Sequence, residues 1–379
     1  MRTISLTPLC CAVLFIPSIA WSQDSLDVWL GTGRDKLSQG IYHCRLDTKT
    51  GRLSQPELAA EISGPGFLAM HPKLDCLYAV GSVAGQASVA AFKIEKDGKK
   101  SSLLYLNSVE IGDGGAAHLA VDDSGKTLLT AQYGGGSVGV FSLHHDGSLN
   151  QRTQLVEHEG GSKVVARRQE SPHPHWVGFS PDNRFAFVPD LGLDQVVIYK
   201  VDVENSRIER HGVGQGVPGG GPRHMKFHPN GKWIYLLNEL TLSVTLFDYD
   251  AEQGTMTPRR TFNAVPQEQL LKEKFKSSSE IRVHPNGQFV YSANRGHDTI
   301  TAFRVHPETG ELTVIERENV RGATPRNFNL DPSARWLLAA GQHSHTLASF
   351  EVDQQTGELT FSRSAVHSPA PICVLFEHE

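Results

Sequence analysis

Apolar and polar residues alternate with a period of two in short runs, and the runs are broken by turn residues. This pattern predicts strands and leaves no competing helical period. One form of it recurs: an alternating strand runs into a turn that usually carries Gly, and Leu or a similar residue follows. It reads CRLDTKTGRL from Cys44, FKIEKDG from Phe92, FSLHHDGSL from Phe141 and YKVDVENSRI from Tyr199. It returns as FDYDAEQGTM from Phe247, FRVHPETGEL from Phe303 and FEVDQQTGEL from Phe350. These seven anchors lie 47 to 58 residues apart, about the length of one four-stranded propeller blade.

A second repeat lies between the anchors, two apolar strands joined by a turn led by Pro or an acidic residue. It reads FLAMHPKLDCLYAV, LAVDDSGKTLLTA, FSPDNRFAFV, FHPNGKWIYLL, VHPNGQFVYSA and LDPSARWLLAA. Period-two strands around such turns predict hairpins. There are six of them, one fewer than the anchors, and the two ends of the chain account for the seventh. VWLGTG reads as a second strand, while PAPICVLFE matches the first strand of the other modules. The expected fold is therefore all-β: a seven-bladed β-propeller of four-stranded blades, closed when the C-terminal strand completes the N-terminal blade. Such closure removes exposed sheet edges and predicts one domain over residues 23–379.

The first residues, MRTISLTPLCCAVLFIPSIAWSQDS, change the picture at that end. Arg2, an apolar run from Leu9 to Ala20 and small residues at Ala20 and Ser22 predict a signal peptide over residues 1–22. The run is too short to span a membrane, so the expected product is exported, periplasmic or secreted, and free of the membrane after cleavage. Three cysteines would remain, Cys44, Cys76 and Cys373, an odd number without metal spacing that predicts buried thiols. A net charge of −5 with scattered Lys and Arg argues against nucleic-acid binding. Two longer gaps mark insertions, residues 154–170 and 265–279, each either a floppy surface loop or a rim that shapes substrate access.

The blade geometry predicts where chemistry would collect. The first strand of a blade lines the channel and the second returns beside it, so the start of one and the end of the other share a face of the disc. Six residues before each hairpin turn stand Gly66, Ala117, His175, Arg223, Ser279 and Arg326, with Ile372 in the closing strand. Ten residues after it stand Ser82, Tyr133, Leu191, Glu239, Arg295 and Gln342, with Asp190, Asn238 and Asn294 one residue earlier. Ionisable groups thus converge on one mouth. His175 read alone is equally a structural histidine, Glu239 with Arg223 a buried ion pair, and Arg295 and Arg326 strand caps. The His-Pro pairs at His71, His228 and His284 fall in turns away from the mouth and read as structural.

Other chemistries lack support. His173 and His175, or His343 and His345, have the spacing to share a strand face, but no carboxylate cluster or Cys completes a metal set. AQYGGGSV and GVPGGGPRH lack the Lys and Ser or Thr of a phosphate loop, and there is no GxSxG elbow. No cofactor is expected.

With these residues assembled, the chain resembles the seven-bladed propeller lactonases, the family of the propeller-type 6-phosphogluconolactonase and of carboxymuconate lactonising enzyme. The resemblance runs through AQYGGGSV, SPHPHWVGFSPDNRFAFVPDLGLDQVVIY, GPRHMKFHPNGKWIYLLNEL, IRVHPNGQFVYSANRGHDTI and GATPRNFNLDPSARWLLAAGQHSHT. It implies hydrolysis of a sugar lactone, with His175, Arg223, Glu239 and Arg295 as the catalytic set. In that reading Glu239 or His175 activates water, while Arg223 and Arg295 bind the oxyanion and an anionic group of the substrate. Arg326, His343, Tyr133 and Asp190 would be further substrate contacts. The expected partner is a small anionic sugar lactone, and the expected state a monomer. One departure stands out, because the family's sugar-phosphate lactonase serves the pentose phosphate pathway in the cytosol and this chain reads as exported. A secreted binding propeller without activity and a metal-assisted or lactonising enzyme on a carboxylated lactone are the rival readings.

Overall fold

A computed structural model describes residues 25–97 and 100–377, so the leader predicted over residues 1–22 lies outside the described residues. The chain folds into seven antiparallel sheets of four strands, here blades I to VII in chain order. Blade I is built from the strands Ser25–Thr32, Gly40–Asp47 and Glu57–Glu61, and the C-terminal strand Pro371–Phe376 takes its innermost place. Val28 lies opposite Phe376 and Gly31 opposite Cys373, so the predicted closure is the one that forms. Every anchor begins on a third strand and runs into the turn after it wherever that turn is described, and every predicted hairpin falls on a first and second strand.

The second strands explain the strongest apolar runs. TLLTAQ, WIYLLN and WLLAAG are buried at every position, because each lies between the faces of two neighbouring blades. The core is accordingly a set of interfaces rather than one centre. Trp233, Tyr235 and Leu237 of blade V, for example, pack with Ile281, Val290 and Phe303 of blade VI. Outer strands such as Thr255–Asn263 are largely exposed and polar.

A clamp ties three pairs of successive blades through the glycine of an anchor turn. Tyr78 donates from its hydroxyl to the Gly147 carbonyl of the next blade at 2.7 Å, Tyr235 to Gly310 at 2.7 Å, and Tyr291 to Gly357 at 2.9 Å. Gly310 has φ +73°, and a Cβ there would stand 2.7 Å from the Trp233 ring. Left-handed backbone and close approach both demand glycine at this point. Where blade VII meets blade I, Trp336 Nε1 donates to the Thr48 carbonyl at 2.9 Å and serves the same purpose. Cys44, Cys76 and Cys373 are free and buried, as their number predicted. No helix among the described residues is long and apolar enough to cross a membrane.

Candidate active site

The residues at the channel mouth owe their direction to a repeated irregularity. On the inner strand of blade V, Pro222–Phe227, Pro222 pairs with Asn238 and His224 with Leu237, which leaves Arg223 unpaired. On the inner strand of blade VII, Pro325–Leu330, Arg326 is skipped in the same way between Pro325 and Asn327. Ala117 in blade III and Ile372 in blade I repeat the pattern. A bulge bends its strand and re-aims the extra side chain, here into the channel. In blade VI the break spans Ser279 and Glu280. Blade IV holds His175 beside an isolated Pro174 to Asp190 bridge, with its amide bonded to the Pro189 carbonyl at 3.0 Å.

These bulges surround a cavity of about 610 Å³ whose wall includes His175, Arg223, Glu239, Arg295, Arg326 and Tyr133. The other positions counted from the repeat that reach it are Gly66, Ala117 and Ile372. Ser279 does not, because its hydroxyl is turned onto the Pro325 carbonyl at 2.5 Å. Glu239, only 5% exposed, is the centre of the ionic group. Its Oε1 accepts from Arg168 Nη2 at 2.6 Å and its Oε2 from Arg223 Nε at 2.9 Å. Arg295 Nη2 lies 3.3 Å from the same Oε2, and His175 Nε2 3.9 Å from it, beyond hydrogen-bond reach. Burial pushes the Glu239 carboxyl up, but Arg295, Arg223 and Arg168 outweigh it and hold the group at about 2. Burial, with Arg295 adding repulsion, brings Arg223 down to about 9, still charged at neutral pH. His175 is held well below the usual imidazole range by burial and by Arg223, so the ring is uncharged.

Arg34, Arg168, Arg223, Arg295 and Arg326 all line the cavity, against the single carboxylate of Glu239 among the described lining residues. Such a wall favours an anionic occupant, since guanidinium forks match carboxylate and phosphate oxygens.

Two of the expected contacts lie elsewhere. His343 is exposed, and its Nδ1 pairs with the Thr324 hydroxyl at 2.9 Å outside the cavity wall. Asp190 is fully buried and spent on structure. Its Oδ1 accepts the amides of His173 at 2.7 Å and Gly192 at 2.9 Å, and its Oδ2 meets His158 Nδ1 at 2.7 Å. Tyr133 does reach the wall and stacks on His173 with ring centroids 4.6 Å apart.

Several residues escaped the repeat count. Arg168 comes from the first insertion, which is pinned where Gln169 Nε2 donates to Asp194 Oδ1 at 2.5 Å and to the Leu191 carbonyl at 2.9 Å. Phe275 comes from the second, with the Arg295 guanidinium 5.8 Å from its ring centre. Both insertions therefore form the rim, and the adjacent arginines at 167 and 168 were the sequence signal for the first. His224 also lines the cavity, and behind it Glu280, Lys226, Arg282 and Asn327 form a deeper polar layer. Among the described residues no group of three or more His, Cys, Asp or Glu could hold a metal ion.

A closed seven-bladed ring with a polar cavity at one mouth, walled by arginines around a carboxylate and by uncharged imidazoles, is the framework of a propeller hydrolase. The family described as Lactonase, 7-bladed beta-propeller matches residues 27–376, and the chain belongs to that family. Membership makes it an enzyme that opens lactones. Among its relatives is the 6-phosphogluconolactonase of Bacillus subtilis, 36% identical over 351 residues, 93% of this chain and 98% of that one. Another is the 6-phosphogluconolactonase of Formosa agariphila, 32% identical over 80% of this chain and 86% of that one. The solved structure of the periplasmic gluconolactonase of Pseudomonas aeruginosa is similar, with TM-score 0.85 and 28% identity over 93% of this chain and 99% of that one.

Proposed function

We propose that the chain hydrolyses an anionic sugar δ-lactone of the 6-phosphogluconolactone type to the aldonic acid, as an exported, periplasmic monomer without a cofactor. The observation that carries this reading is the set of five guanidiniums that, with a single carboxylate among the described lining residues, wall a cavity of about 610 Å³, large enough for one sugar ring with its substituent. Export is supported by the leader pattern in residues 1–22 and by the similarity to a periplasmic gluconolactonase.

Attack of water on the lactone carbonyl places negative charge on its oxygen, and donors already aimed at that point lower the barrier most. Arg223 and Arg295 are the donors, fixed by Glu239, while Arg326, Arg168 and Tyr133 receive the anionic substituent. Three arginines hold Glu239 at about 2. Both of its oxygens are engaged, Oε1 by Arg168 and Oε2 by Arg223, which suits it to orienting the guanidiniums rather than to taking a proton. The proton of the attacking water then falls to an uncharged imidazole of the wall, His175 or His224.

A panel of lactones with a pH-indicator readout, with and without chelator, tests the reading. Gluconolactone and its 6-phosphate should both release acid, the phosphate with the lower KM, and chelator should change neither rate. Saturable binding without acid release would show a docking propeller instead, and chelator sensitivity a metal-assisted enzyme.

A further inference from the structure

His224 follows the bulged Arg223 on the inner strand of blade V, is 2% exposed and lines the cavity. Its Nδ1 lies 3.0 Å from Oε1 of Glu280, the fully buried bulge residue of blade VI. The carboxylate is itself held in place. Its Oε1 accepts the Ile281 amide at 2.9 Å, and its Oε2 accepts from Asn327 Nδ2 of blade VII at 2.6 Å. Asn327 Oδ1 in turn accepts the Val374 amide of the closing strand at 2.8 Å. A carboxylate only accepts, so Nδ1 must carry the proton, and in a neutral ring Nε2 then holds a lone pair. That Nε2 is buried without a hydrogen-bond partner.

His175 has none of this support. Its Nδ1 lacks a partner, its Nε2 stands 3.9 Å from Glu239, and Arg223 and Arg326 oppose a positive charge on the ring. Charged and titratable groups around His224 are Arg223 and Lys226 on its own strand, Glu280 from blade VI, and the rings of His118 and His175 at 5.5 and 5.4 Å; Arg282 Nη2 stands 3.6 Å from the far oxygen of Glu280. Burial lowers the imidazole and Glu280 opposes the fall, leaving it at about 3. The lone pair is present throughout the neutral range.

We infer that His224 is a catalytic residue, the base whose Nε2 takes a proton from the attacking water, and that Glu280 is the positioning residue that fixes its tautomer and faces the imidazolium as it forms. The inference rests on the lactonase reading above. Water oxygen bonds to the carbonyl carbon as its proton passes to Nε2, giving a tetrahedral oxyanion beside Arg223 and Arg295. Collapse breaks the bond from that carbon to the ring oxygen. The departing oxygen takes the proton back from Nε2, so lactone and water become the hydroxy acid and the ring returns to neutral.

Steady-state kinetics on the full chain, with the lactone that the wild type turns over, test the assignment. His224→Gln should lower kcat by about 10²-fold or more, the usual contribution of a general base, with KM within about threefold. Glu280→Gln should give a smaller loss in the same direction, and imidazole in the buffer should restore part of the kcat of His224→Gly. A His224→Gln enzyme with kcat within about threefold of wild type overturns the assignment while the lactonase reading stands. A wild type inert on every lactone overturns both. Should the variants fail to fold, the ¹⁵N shifts of His224 in the wild type decide. Protonated Nδ1 with bare Nε2 supports the role, and protonated Nε2 overturns it.

Discussion

Glu239 carries the highest density of charge contacts in the molecule's mouth, and its removal has two separable effects. Glu239→Gln leaves Arg223 and Arg295 without the counter-charge that aims them, and kcat/KM should fall by about 10²-fold in the lactone assay. The same change alters the response of stability to acid. A carboxyl held at about 2 in the fold and at 4.5 by itself stabilises fully above pH 4.5, and this contribution disappears as pH falls towards 2. Tm followed from pH 6 to pH 2 should therefore drop more steeply in the wild type than in Glu239→Gln. Glu280, also lowered, supplies the acid sensitivity that the variant retains. The four residues His175, Arg223, Glu239 and Arg295 were legible because each sits at a fixed offset from a turn that repeats. His224 and Glu280 were not, since a bulge shifts which neighbour faces the channel and a period-two reading cannot place it.

Elements that interrupt the repeat behave differently from those that follow it. The insertion over residues 154–170 gives Arg168 to the cavity, yet that side chain is 38% exposed and the blades do not rest on it. Arg168→Ala should raise KM for an anionic lactone about tenfold, the loss of one charged hydrogen bond, while Tm stays within about a degree of wild type. Titrating salt against KM in both proteins checks it, because the variant should be the less salt-dependent. The anchor turns are the reverse case, remote from chemistry and required by the fold. Gly310→Ala meets a left-handed backbone cost of about 1–2 kcal/mol and the Trp233 ring as well. Thermal unfolding should shift down by at least about 2–4 °C, with kcat and KM unchanged. The glycine was visible as a repeat, but its reason was not, because the tryptophan it touches belongs to the preceding blade. The cavity residues Arg168 and Phe275 were likewise hidden in the two insertions, which have no period to read.

For the whole ring, closure rests on Pro371–Phe376 pairing beside Ser25–Thr32, with Trp29 Nε1 donating to Glu377 at 3.4 Å and Lys96 meeting the same carboxylate at 2.6 Å. Deleting the last ten residues should abolish cooperative unfolding or leave a sheet edge that self-associates, read by calorimetry and size-exclusion chromatography; a folded, active monomer would contradict it. The closing strand also contributes Ile372 to the cavity and the amide that holds Asn327 against Glu280. It is made after every other strand. A nascent chain should therefore emerge from the ribosome with the cavity open on one side and with Asn327 not yet held against Glu280. A chain terminated before that strand should therefore be inactive rather than a slow version of the enzyme.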